Sequence, residues 1–291
     1  MQVNSAMVRI VSILLILLLF AQVANPKIIQ LVRFSAYQLF QKGAQVYLSV
    51  TTRSFQSLEG KDFIVKYTVK DREIAPIVLQ ATQRYYEILQ QSIDFKLSGA
   101  GKRLVIIYPN DTSLNRSLGW DSAQSAVGVY WAGSIRLLSP QEWLSGADSE
   151  ELADAFAREN PITHELTHLL VDNRTAGNYT RWLTEGLAQY MEAEITGYIL
   201  PEPRVHKRDL LPIDKIDNSF EDEARQMKAY WQSRLMVGYL VREYGLERLS
   251  KFFDLLKEGK DYQDSFHEVY GFSPERVADP ALILDSEVVQ N

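Results

Sequence analysis

Apolar residues fall into three patterns along this chain. The first is a solid block. Ile10 to Ala24 reads IVSILLILLLFAQVA, uncharged, after the single basic residue Arg9. A positive start before an apolar core is the pattern of an export signal. As a helix the block would span about 22 Å, short of a hydrocarbon layer of about 30 Å. Cleavage after Ala24 would put Gln22 at the third-last position, where a small residue is needed. Residues 1–26 therefore read as an uncleaved signal anchor, with a cleaved signal peptide as the alternative. Residues 27–60 stay apolar-rich at Leu31, Val32, Phe34 and Phe40, and read as a stalk. It ends at the turn-like Glu59-Gly60-Lys61-Asp62.

The second pattern is a set of short β-branched and aromatic runs. Phe63 to Val69 predicts a strand, and Leu104 to Tyr108 a buried strand ended by Pro109-Asn110. Ala126–Trp131 and Ser134–Leu138 flank Ala132-Gly133, which predicts a hairpin. The third pattern has helical spacing. Ile74, Ile77, Val78, Ala81, Tyr85 and Leu89 predict a helix over roughly 72–94, with Asp71 as its cap. From Asp148 onward the chain reads as almost wholly helical. Strands first and helices after is the α+β order, here a small N-terminal sheet and a mostly helical C-terminal half. The domain is expected over 61–278, with a tail at 279–291.

Composition narrows the chemistry. Of the 291 residues, 46% are apolar and 23% charged, which disfavours full disorder, collagen-like repeats and a multi-span membrane protein. Lys+Arg number 31 against 37 Asp+Glu, a net charge of −6, so nucleic acid is not an expected partner. The absence of cysteine excludes disulfides, Cys-ligated zinc, iron–sulfur clusters and thiol catalysis. Asn110, Asn115, Asn173 and Asn178 open Asn-x-Ser/Thr triplets and read as loop residues chosen for turn chemistry.

Two of the four histidines fall in His164-Glu165-Leu166-Thr167-His168. On a helix, i and i+4 share a face, so both imidazoles can converge on one metal ion. Glu165 lies about 100° round the helix, beside that site, where a carboxylate can take a proton from water. Pro161 fits the helix start, with Asn160 as cap. Catalytic zinc normally has three protein ligands. After the turn-rich 172–178, Arg181-Trp182-Leu183-Thr184-Glu185-Gly186-Leu187 can return as a second helix and offer Glu185. Taken alone, Glu185 would be a solvated helix residue. Gly186 would let two helices approach closely. Gln189 could offer an amide oxygen to a histidine, though solvation is its plainer reading. His206 reads as a surface-loop residue and His267 as structural.

His164-Glu165-Leu166-Thr167-His168 with Trp182-Leu183-Thr184-Glu185-Gly186-Leu187-Ala188 resembles the gluzincin metallopeptidases, and within them the peptidase MA-like group. The second motif is similar to the aminopeptidase branch. Ala229-Tyr230-Trp231-Gln232-Ser233, Tyr244-Gly245 and Val269-Tyr270-Gly271-Phe272-Ser273 also resemble this group, over about residues 61–275. The resemblance implies a zincin-like fold, one Zn2+ per chain held by His164, His168 and Glu185, and Glu165 as general base. It also implies Tyr230 as oxyanion donor and an exposed strand above the active helix, mapped to the 126–138 hairpin. No segment like Gly-Ala-Met-Glu-Asn precedes the zinc motif, so no residue is assigned to hold a substrate amino terminus. The expected function is a zinc-dependent peptidase acting on peptides or proteins. It would be anchored in a membrane through its N-terminal segment, with the domain outside the cytoplasm, or secreted. The alternative is a non-proteolytic metal-binding or receptor-like module, against which Glu165 argues.

Overall fold

The β-branched runs pair into one five-stranded sheet. The structure, a computed structural model, describes residues 26–93, 101–121, 125–144, 149–203 and 210–283. The apolar block 10–24, His206 and most of the tail lie outside the described residues. The strands are β1 (Gln56–Glu59), β2 (Phe63–Tyr67), β3 (Arg103–Tyr108), β4 (Gly128–Trp131) and β5 (Ser134–Leu138). Their order is β1-β2-β3-β5-β4. The central β2, β3 and β5 are parallel, and both edge strands are antiparallel to their neighbours. Val105 pairs with Val65 on one side and Ile135 on the other. Residues of period two therefore line each face. Phe63, Val65, Val105, Ile107, Ile135 and Leu137 enter the main core, whereas Ile106, Tyr108 and Leu138 form a smaller one. Between β4 and β5, Ala132 (φ 48°) and Gly133 (φ 82°) both have positive φ, as a two-residue hairpin turn requires.

The helices are α1 (Pro26–Thr51), α2 (Ala75–Ile93), α3 (Asp111–Leu118), α4 (Ser149–Glu159), α5 (Ile162–Thr175) and α6 (Arg181–Thr196). They continue with α7 (Ile213–Ser219), α8 (Gln226–Lys257), α9 (Tyr262–Tyr270) and α10 (Pro280–Ile283). The fold is α+β, as expected. Main-core residues of α2, α5, α6 and α8 cover one face of the sheet, while Leu48 of α1 and Leu114 of α3 cover the other. Asn110 caps α3 by accepting the Ser113 N–H at 2.9 Å. Helix α8 breaks at Gly245, whose φ of 79° and ψ of 158° are non-helical.

Two stretches differ from expectation. Asp71 does not cap α2, which starts only at Ala75. It sits in a short 3-10 turn, fully buried, and accepts hydrogen bonds from Thr68 Oγ1 and Ser139 Oγ. Burial there lets one carboxylate tie the start of α2 to the end of β5. The stretch 27–60, expected as a stalk, carries α1 and β1, and both pack on the domain. β1 forms a sheet edge, and Ala44 and Leu48 of α1 are buried. No helix among the described residues is long and apolar enough to cross a membrane.

Candidate metal centre

The site is built on α5. Asn160 Oδ1 accepts the Ile162 N–H at 3.0 Å and opens the helix just after Pro161. Leu166, Leu169 and Leu170 are buried and fix its rotation. The opposite face then presents His164 and His168, whose ring centroids lie 4.8 Å apart. Ala176 stops α5 in a left-handed conformation, and the chain turns back. The carboxylate of Asp217 on α7 accepts the N–H groups of Arg181 and Trp182 at 3.0 and 2.8 Å. It thereby satisfies orphan donors at the start of α6. Buried Trp182, Leu183 and Leu187 hold α6 so that Glu185 faces the histidines.

Glu185 Oε2 lies 3.4 Å from His164 Nε2 and 3.4 Å from His168 Nε2. A tetrahedral zinc ion about 2.0–2.1 Å from each donor separates donors by about 3.3–3.4 Å. The donor set and its spacing therefore fit a zinc ion, and all three ligand atoms lie within 4.8 Å of one another. Burial disfavours the Glu185 carboxylate, but the two imidazoles outweigh it and hold the group well below the usual carboxylate range. Burial likewise opposes charge on His164, yet Glu185 and Glu192 raise it well above the usual histidine range. The cluster thus favours a positive occupant, which a proton or a metal ion can supply.

Each histidine is oriented from behind. His164 Nδ1 lies 3.3 Å from Glu192 Oε2, and His168 Nδ1 lies 2.7 Å from Thr184 Oγ1. Such partners fix which ring nitrogen is free to face the ion. Sequence reasoning missed both. Glu192 carried a signal, since it follows Glu185 by two helical turns on one face of α6. Gln189, whose plainer reading was solvation, is instead buried, and neither side-chain polar atom has a hydrogen-bond partner.

Glu165 is buried beside the cluster and accepts the backbone N–H of Tyr130 on β4. Burial pushes its carboxyl above the ordinary range, against the pull of both imidazoles. β4 passes close over α5 because residue 128 is glycine. A Cβ there would lie 2.8 Å from Pro161 Cγ and 3.2 Å from Glu165 Cγ. The hairpin thus supplies an edge strand above the active helix. Tyr130 also donates its hydroxyl to Asp172, one turn beyond His168 on α5.

Tyr230 stands on α8 with its ring 4.9 Å from that of Phe220. Burial pushes its hydroxyl up to about 12, and the Glu185 charge adds to this. The Arg181 cation near this hydroxyl opposes the rise, and Arg181 Nε lies 3.6 Å from Glu185 Oε1. The structure thus brings Tyr230 and the unforeseen Arg181 to the cluster. His267 is exposed on α9 and belongs to no such group.

Residues 105–280 match the family described as the peptidase MA superfamily, a span that contains the whole cluster and Tyr230. No individual curated protein matches the chain. The chain belongs to the peptidase MA superfamily.

Proposed function

On the premise of that membership, we propose that the chain is a zinc-dependent peptidase that hydrolyses peptide bonds. One observation carries the reading: three donors spaced for a tetrahedral ion, with a buried carboxylate beside them that is not needed as a ligand. His164, His168 and Glu185 would hold the metal. Zinc, when bound, supplies Lewis acidity that makes water a nucleophile at neutral pH and polarises a carbonyl. Glu165 takes the proton from the attacking water and returns it to the leaving amine. Its raised pKa suits both directions of that transfer. Tyr230 keeps its proton at neutral pH and donates a hydrogen bond to the developing oxyanion. Arg181 orients the Glu185 carboxylate. β4 ends the sheet with its outer edge unpaired by any strand among the described residues, which supports a substrate laid along that edge in extended form. We read the Ile10–Ala24 block as an anchor that keeps the domain outside the cytoplasm.

The test compares the wild type with Glu165→Gln for zinc content and for cleavage of a random peptide library. Both should hold equal zinc, and the variant should lose roughly 100-fold or more of the cleavage rate. Equal cleavage by the two proteins at equal zinc would remove the enzyme reading and leave a metal-binding module.

A further inference from the structure

Helix α1 has two distinct faces. The inner face docks on the domain. Tyr37 Oη and Gln41 Nε2 both donate to Asp172, the latter at 2.8 Å. Ala44 and Leu48 are buried, and Arg33 Nη2 lies 3.3 Å from Asn178 Oδ1. The outer face carries Val32, Ala36, Leu39, Gly43, Val46 and Val50. These positions alternate by four and three, so they form one stripe along the helix. The stripe is open: Val32 is 46% exposed, Leu39 69%, Val46 64% and Val50 62%. A helix that is apolar on both sides is built to be covered on both. A continuous exposed apolar surface marks an interaction site.

Charge identifies the occupant. Before Glu59 the chain has no acidic residue, and besides the inner-face Arg33 it has Arg9, Lys27, Lys42 and Arg53, within a protein of net charge −6. A second copy would bring the same cations against each other, which disfavours pairing. An anionic lipid surface complements them. The apolar block also ends at Ala24, next to the start of α1 at Pro26. Helix α1 itself is not apolar enough to cross a bilayer, so it suits lying on one.

We infer that the outer face of α1 lies in the headgroup boundary of an anionic phospholipid bilayer. The inner face of the same helix grips Asp172, one turn from His168. The contact therefore holds the metal cluster within roughly 20 Å of the lipid. It stands on the geometry of α1 and does not depend on peptide hydrolysis.

The natural absence of cysteine allows a direct test in the full chain. Leu39→Cys and Val46→Cys each take a fluorescent label on the stripe. Gln80→Cys, exposed on α2 across the sheet, takes the control label. Each protein is reconstituted with phosphatidylglycerol/phosphatidylcholine vesicles and exposed to nitroxide-bearing lipid or to aqueous iodide. The two stripe labels should be quenched several-fold more by the nitroxide lipid than the control, and shielded from iodide. Stripe labels that match the control in both quenchers, while the chain floats with the vesicles, would overturn the inference. That result would mean attachment without α1. Contact between labels of two copies in the absence of lipid would overturn it in favour of a dimer. Equal nitroxide quenching on pure phosphatidylcholine would remove the charge argument.

Discussion

Replacing Gly186 by alanine puts a methyl group where the α8 backbone already lies. A Cβ at residue 186 would sit 2.3 Å from the Ser233 carbonyl oxygen, 2.7 Å from its carbon and 2.7 Å from Val237 Cγ2. These atoms are roughly 1 Å inside normal contact distance. Two of them are backbone, so relief requires that α6 and α8 separate. Overpacking of this kind costs about 1–3 kcal/mol. Alanine returns up to about 1 kcal/mol of helix propensity. With the full return the net loss is about 0–2 kcal/mol, or a Tm lower by up to roughly 8 °C for a domain of this size. Gly238→Ala on α8 is the matched control, because its Cβ would meet only the Tyr190 ring, in ordinary contact at 3.7 Å from Cδ2 and 3.9 Å from Cε2. That variant should gain up to about 1 kcal/mol. Thermal unfolding of both by circular dichroism, with zinc affinity measured alongside, gives the readout. Glu185 adjoins Gly186, so Gly186→Ala should also weaken zinc binding. A Gly186→Ala protein as stable as Gly238→Ala, with zinc affinity intact, would refute the close packing of α6 on α8.

Other substitutions probe the groups behind the ligands. Glu192→Gln loosens the His164 ring and should weaken zinc binding about 10–100-fold, measured by competition with a chromophoric chelator. Gln189→Leu should leave zinc binding unchanged and stability equal or higher, since a buried unpartnered amide is replaced by an apolar group. Asp172 tests pH dependence. Burial raises its carboxyl pKa, against the bonds from Tyr130 and Tyr37 that lower it. The folded chain then keeps a proton that the unfolded chain has released, so stability falls as pH rises from about 4 through the folded value. Denaturant unfolding of Asp172→Asn should show a flatter pH profile across that window, and an unchanged slope would contradict this.

Much of the site was legible because its determinants are local. The spacing of His164 and His168 puts both on one face of any helix. Ala132-Gly133 between two β-branched runs specifies a hairpin turn through positive φ, which the structure shows at both residues. Glu185 was legible through the turn-rich segment before it, which lets α6 return, and through the resemblance of its own motif. Contacts between distant segments left no such trace. Tyr37 and Gln41 look like ordinary residues of an amphipathic stretch, and their partner Asp172 lies more than 130 residues away. A stalk was therefore expected where α1 packs. Asp71 carried the right residue type for a cap, but its burial under Ser139 is set by sheet pairing. Arg181 was hidden for the same reason, because its approach to Tyr230 crosses from α6 to α8.

The most direct measurement is zinc stoichiometry of the purified full chain, wild type against His168→Ala, with folding checked by circular dichroism. The full chain is required because α1 and β1 belong to the packed structure. About one zinc per wild-type chain, lost in the variant, is the predicted result. A folded wild type that takes up no zinc would contradict the account at its centre.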